Sequence, residues 1–209
     1  MLALVAGTHG YEYPPITALQ RVRGALDPAE LAGTVILVHI ANPPSFFGRT
    51  IYFSPADGKN LNRVYPGRAD GTLSERIAHV ITRDVIERAD YVVDLHRRRA
   101  TSTPHGHMPL TGNRELDTAA RGMAMAFGID HIVIDAHQLR DPGDSLYVDQ
   151  TALTRGKPAI TTETGQLGSN QEQWVRMAED GVYNLLRHLG MLEGTRNRTT
   201  ALSGSPTTG

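Results

Sequence analysis

The chain contains no cysteine, which removes a disulfide scaffold, a thiol nucleophile and a thiolate metal site in one step. Any metal ligands must therefore be histidines and carboxylates. No apolar run approaches the ~20 residues that a membrane span requires. The N-terminus lacks a basic region followed by a cleavable hydrophobic segment, so a cytoplasmic protein is the expectation. A formal net charge of -1 gives no broad basic field for nucleic acid, and recognition has to be local. What remains, 40% hydrophobic and 21% charged residues in a chain of 209, is the composition of a globular protein with room for one α/β domain.

Short apolar runs alternate with longer periodic ones. Leu2–Ala6, Thr34–Asn42, Asp90–His96, His131–Ala136 and Pro158–Glu163 are rich in Val, Ile and Leu and read as buried strands. Helices are predicted over residues 14–26, which open on Pro14 and Pro15, over Leu73–Ala89, over Arg114–Phe127, and over Gln171–Gly190. Thr72 with Glu75, and Ser169 with Glu172, both have capping-box spacing. This alternation predicts a mixed, mostly parallel sheet with helices on both faces, and ligands at the C-terminal strand ends. The polar tail after residue 192 has almost no apolar periodicity and reads as disordered, which leaves one catalytic domain over 1–192. The first strand begins at residue 2, so a shortened chain is also expected.

Polar residues gather where those strands end. His9 and Glu12 in "THGYE" follow the first, Asn42 the second, Asp94 and His96 close the third, and Glu163 the last. A catalytic zinc takes three protein ligands and keeps a position for water, a set that a short HxxE pair and a distant histidine can supply. Alone, the HxxE match reads more readily as two ordinary polar loop residues, and His96 equally as a satisfied core histidine. Asp94 lies on the same strand face as His96 and could accept its second N–H. Glu163 ends an apolar strand, where it is either a general base beside a metal-bound water or a solvent-facing loop residue. The loop from Gly48 to Gly67 carries Arg49, Asn60, Asn62 and Arg63, donor types that clamp carboxylates or polarise carbonyls. His105 and His107 would share one face if they lay on a strand, without an evident third ligand. His39 reads as a core histidine, and the remaining histidines give no usable signal.

In order, "GTHGYE", "NPPSF", "DGKNLNRVYPG", "DLH" and "ITTETG" resemble the succinylglutamate desuccinylase/aspartoacylase family, relatives of the zinc carboxypeptidases, over about residues 2–190. The resemblance implies a zinc carboxypeptidase-like three-layer fold and hydrolysis of an amide joining an acyl group to an amino acid or similar amine. It also implies one Zn2+ per chain on His9, Glu12 and His96, with Glu163 as general acid/base. Asn62 and Arg63 would grip a substrate carboxylate, and Arg49 would polarise the scissile carbonyl. The implied partner is a small N-acylated molecule; nucleic acid and membrane are not expected, and a homo-oligomer is compatible with the sequence. A metallocarboxypeptidase, or a truncated relative that binds a metal or anion without catalysis, are the alternatives. Where family members have small residues after the "DLH" histidine, this chain has Arg97, Arg98 and Arg99, which would crowd the pocket or favour an anionic substrate.

Overall fold

A computed structural model describes residues 1–97, 103–136, 139, 141–165 and 169–195. Six strands form one sheet: β1 (Leu2–Ala6), β2 (Val35–Val38), β3 (Tyr91–His96), β4 (His105–Pro109), β5 (Ile132–Asp135) and β6 (Ala159–Glu163), in the order β2-β1-β3-β6-β4-β5. The pairs β2-β1, β1-β3, β3-β6 and β4-β5 are parallel, and β4 pairs antiparallel with β6. The helices are α1 (Tyr13–Ala25), α2 (Pro43–Gly48), α3 (Leu73–Ile81), α4 (Arg114–Phe127), α5 (Val148–Leu153) and α6 (Glu172–His188).

Strand alternation sorts the apolar side chains into two cores. Leu2, Leu4, Val93, Leu95 and Ile160 face α1, α4 and α6, which contribute Ile16, Leu19, Met123, Phe127, Val182 and Leu185. Ala3, Val5, Val92 and Ala159 face the opposite layer, where Ala78, Ile81, Val148 and Ala152 arrive from α3 and α5. Three layers result, as the alternating pattern predicts. Asp94, His96 and Glu163 share the parity of Val92 and Ala159 and point towards the second core at its end.

Several expectations are corrected. The apolar run Thr34–Asn42 pairs as a strand only over Val35–Val38, and both β2 and β5 are edge strands covered on fewer sides than a buried strand; Val133 and Ile134 are exposed. His39 is accordingly half-buried rather than a core residue. The helix predicted over Leu73–Ala89 is α-helical to Ile81 and continues as a wider π turn over Thr82–Ile86. At its start the capping box forms, with the Thr72 N–H donating to Glu75 Oε2 at 2.7 Å. The equivalent box at Ser169 does not, because α6 begins at Glu172 with Gln171 as its N-cap; the Glu172 carboxylate instead accepts two bonds from Arg21 of α1 at 2.8 Å and one from Arg176. Strand β4, rich in His and Gly and without β-branched residues, has no counterpart in the sequence reading. Of the predicted tail, residues 193–195 carry no helix or strand, and the rest lies outside the described residues, as do Arg98, Arg99 and His137.

Because β4 runs against β6, its first residue meets the last residue of β6. Glu163 is the register partner of His96 on one side and of His105 on the other. The C-terminal ends of β1, β3 and β6 and the N-terminal end of β4 therefore border one place.

Candidate metal centre and active site

The turn after β1 is built on backbone proximity. A Cβ on Gly10 would lie 2.1 Å from the Ser45 carbonyl oxygen and 2.5 Å from that of Thr50, so only glycine lets the chain pass. Asn42, the N-cap of α2, holds the same turn by donating from Nδ2 to the Thr8 carbonyl at 3.2 Å while accepting from the Ser45 N–H. Glu12 occupies the N-cap position of α1 but makes no cap with its side chain. It is fully buried and turned inward, where Oε2 accepts the His9 N–H at 3.0 Å.

His9, Glu12 and His96 meet. His9 Nδ1 lies 2.9 Å and His96 Nδ1 2.8 Å from the same oxygen, Glu12 Oε1. His96 Nε2 donates to Asp94 Oδ2 at 2.7 Å, and His9 Nε2 lies 3.3 Å from Asn60 Oδ1. With its Nε2 proton committed to Asp94, a neutral His96 turns a lone pair from Nδ1 towards a carboxylate lone pair. That arrangement is repulsive unless a cation, a proton or a metal, sits among the three groups. One ligand atom from each residue falls within 4.8 Å of the others, so two imidazole nitrogens and one carboxylate oxygen fit a three-ligand metal site.

The charges follow the same geometry. Burial would push the Glu12 carboxyl up, but His96 and His9 reverse the sign and hold it well below the usual carboxylate range. Burial works against the His96 imidazolium, yet Asp94 and Glu12 raise it well above the ordinary histidine value. Asp94 is pushed up, chiefly by burial, with His96 acting against it.

The cluster forms one end of a cavity of about 460 Å³, within the ~300–1,000 Å³ typical of small-molecule sites. Glu163 and Thr161 of β6, His105 and His107 of β4, and Asp135 of β5 supply further lining. Tyr147, Asp149 and Gln150, at the start of α5, also border it. His107 pairs with Asp149 at 3.7 Å, and this contact raises its imidazole above the ordinary value against the opposing effect of burial. The HxH pair thus shares a strand face and lines the cavity without joining the His9–Glu12–His96 cluster.

The loop between α2 and α3 is pinned rather than loose. Phe53 bridges Asn60, Asp57 accepts from Ser74 N–H and Oγ at 2.7 and 2.8 Å, and Leu61 is fully buried, which stabilises the loop by roughly 1.5–3 kcal/mol. One helical turn, Leu61–Arg63, then presents Asn62 and Arg63 to the cavity. Asn62 Nδ2 lies 3.4 Å from His96 Nε2, and the Arg63 guanidinium stacks 4.5 Å over Tyr147.

Arg49 does not join them. It is exposed at the C-cap of α2 in a left-handed conformation, φ 52°, beside Tyr13, Phe46 and Phe47 and outside the cavity. Nearer Arg49 in this loop it is Tyr52 that reaches the cavity, its ring meeting His9 edge-on at 5.1 Å and its hydroxyl accepting from Tyr11 at 3.3 Å. Arg97 also lines the cavity, buried and 4.8 Å over the Tyr11 ring. Tyr52, Tyr147, Asp149 and Asp135 carry no motif that sequence reasoning could use. Arg97 stands out in sequence only as part of an arginine run.

Residues 1–189 match the profile of the succinylglutamate desuccinylase/aspartoacylase catalytic domain. The N-alpha-acetyl-L-2,4-diaminobutyric acid deacetylase of Halomonas elongata is 36% identical over 199 residues, 91% of this chain and 55% of that protein. The crystal structure of a succinylglutamate desuccinylase/aspartoacylase from Rhodobacter sphaeroides superposes with a TM-score of 0.85 at 30% identity, covering 96% of this chain and 59% of its own. A product-bound ectoine utilization protein from Ruegeria pomeroyi gives 0.84 at 30% identity, covering 94% and 59%. The chain thus spans between 55% and 59% of the length of these relatives.

Proposed function

Because the chain belongs to the succinylglutamate desuccinylase/aspartoacylase family, we propose that it hydrolyses the amide bond of a small N-acylated amino acid or related amine carrying a carboxylate, with one zinc ion per chain on His9, Glu12 and His96. The observation that carries this reading is the convergence of two imidazole Nδ1 atoms on one buried carboxylate oxygen beside a cavity of small-molecule size. When bound, the ion supplies a Lewis acid for the carbonyl and lowers the pKa of its water towards ~7.

The protein's own groups then divide the work. Asp94 fixes the His96 tautomer so that Nδ1 faces the ligand position. Asn62 and Arg63, on one turn anchored by Leu61, grip the substrate carboxylate and bring the amide to Glu163. The Tyr147 ring beneath the Arg63 guanidinium steadies the charge that a substrate carboxylate would pair with. Glu163 takes a proton from the attacking water and returns it to the leaving amine. The acidic wall of Asp135 and Asp149 faces the same space and would suit a second, cationic amino group on the amine part, such as the name of the Halomonas elongata relative implies for its own substrate.

The test compares N-acetyl-2,4-diaminobutyrate, N-acetylaspartate and N-succinylglutamate with blocked dipeptides, while zinc is counted by elemental analysis. Hydrolysis of an N-acyl amino acid is expected, with turnover in Glu163→Gln lower by about 10²–10⁴-fold and zinc content unchanged. Activity on dipeptides alone would make the protein a metallocarboxypeptidase, and unchanged turnover in Glu163→Gln would remove Glu163 from its role.

A further inference from the structure

Arg97 is 2% exposed, and Nε, Nη1 and Nη2 are all without a hydrogen-bond partner among the described residues. A guanidinium carries five N–H donors, and buried donors are ordinarily satisfied. The residue lines the cavity that holds the His9–Glu12–His96 cluster and Glu163. The side chain is also held in place. The guanidinium carbon lies 4.8 Å over the Tyr11 ring, the Tyr11 hydroxyl donates to Tyr52, and the backbone N–H of Arg97 donates to Glu12 Oε1 at 3.4 Å. A guanidinium stacked on a ring keeps its edge donors for a ligand in its own plane.

The surrounding charges indicate what kind of oxygen belongs there. The carboxylates of Glu12 and Glu163 both act on the Arg97 charge, and Glu12 is already committed to the two imidazoles. Of these two carboxylates, Glu163 is the one that becomes neutral during the reaction. Burial works against the Arg97 charge more strongly than these carboxylates favour it, so the guanidinium is under-compensated in the resting site. An oxygen that acquires a negative charge in the cavity is the matching partner.

We propose that Arg97, rather than Arg49, holds the scissile carbonyl oxygen as it becomes an oxyanion; this rests on the deacylase reading given above. Water adds to the carbonyl carbon, forming a C–O bond, and the carbonyl π pair moves onto oxygen, where the Arg97 N–H groups receive it. The water proton passes to Glu163. On collapse the C=O bond re-forms, and the C–N bond breaks with its electron pair on nitrogen. Glu163 returns the proton to that nitrogen, leaving a carboxylic acid and an amine.

The test uses the 209-residue, zinc-loaded chain with Arg97→Gln and Arg97→Lys. On whichever N-acyl amino acid the unaltered chain hydrolyses, Arg97→Gln should lower kcat by about 10²–10³-fold, the cost of removing an oxyanion donor. KM should stay within about threefold, because the interaction belongs to the transition state, and Arg97→Lys should recover at least about tenfold of kcat. An unchanged kcat overturns the proposal, and so does a loss confined to KM, which would make Arg97 a carboxylate anchor. Acetate binding by calorimetry reads the same oxygen site without turnover and should weaken by about tenfold or more in Arg97→Gln. Equal acetate affinity in both proteins also overturns it. If the unaltered chain hydrolyses no N-acyl amino acid, the deacylase reading fails, and acetate alone decides whether Arg97 is the oxygen-binding group. Thermal melting checks folding of each variant; should Arg97→Gln not fold, Arg97→Lys carries the same comparisons, with kcat about tenfold down and acetate weakened.

Discussion

Asp94 and His96, two residues apart on one face of β3, are joined by a 2.7 Å bond between Oδ2 and Nε2. The bond fixes which imidazole nitrogen faces Glu12. Asn in place of Asp94 keeps the shape but removes the negative charge that strengthens the ligand. Zinc affinity, measured by chelator competition, is expected to fall by about 10–100-fold in Asp94→Asn. Equal competition curves would assign Asp94 a purely packing role.

Gly10 makes the turn possible because its neighbours are backbone carbonyls that cannot swing aside. Gly10→Ala must displace the His9 segment, at a cost of about 1–3 kcal/mol, or about 2–4 °C in Tm for each kcal/mol in a chain of this size. Zinc stoichiometry should fall with it. Gly24, in the last turn of α1, has open space where a Cβ would stand, so Gly24→Ala is expected to raise stability by about 0.4–1 kcal/mol. Opposite shifts in two glycine variants, read by thermal melting, separate steric exclusion from general helix propensity.

Arg49 stands outside the cavity, so Arg49→Ala should leave kcat/KM within about threefold of the parent. Arg49→Gly should stabilise the fold by roughly 1 kcal/mol, since glycine accepts the left-handed cap without a Cβ clash. A large fall in kcat for Arg49→Ala would restore the role that the family resemblance implies.

His107 is favoured in its charged form by Asp149, with Asp135 and Glu163 adding to the effect. Its folded value lies above the ordinary 6.5, so its stabilisation is fully present below pH 6.5 and is lost as the pH rises through the raised folded value. In Asp149→Asn the His107 titration followed by NMR should move down, and the stability gained on acidification from neutral pH should shrink. A midpoint unaffected by Asp149→Asn would leave their contact without electrostatic weight.

Much of the His9–Glu12–His96 cluster is legible in the sequence, for a physical reason. In a parallel sheet the strand ends converge, so polar residues ending apolar runs, such as His9, Glu12, His96 and Glu163, are forced to one edge. The partnership of Asp94 with His96 follows from strand parity alone. The opposite wall is not legible. His105 and His107 lie on a strand whose residues, HGHMP, carry no β-branched signature, and the antiparallel turn of that strand leaves no mark in sequence. Asp149 and Tyr147 reach the cavity from a six-residue helix too short to show a period. Arg49 and Arg97 are indistinguishable as residue types; only the left-handed end of α2 and the burial beneath Tyr11 separate them.

The reversal at β6 also bears on how such a site could diversify. The candidate metal ligands stand at the ends of β1 and β3, and a further part of the cavity wall is carried on β4, β5 and α5, with Glu163 on the seam between them. Substitutions in that wall can reshape what the cavity accepts while leaving the ligands untouched, so chemistry and selectivity are free to evolve at separate rates.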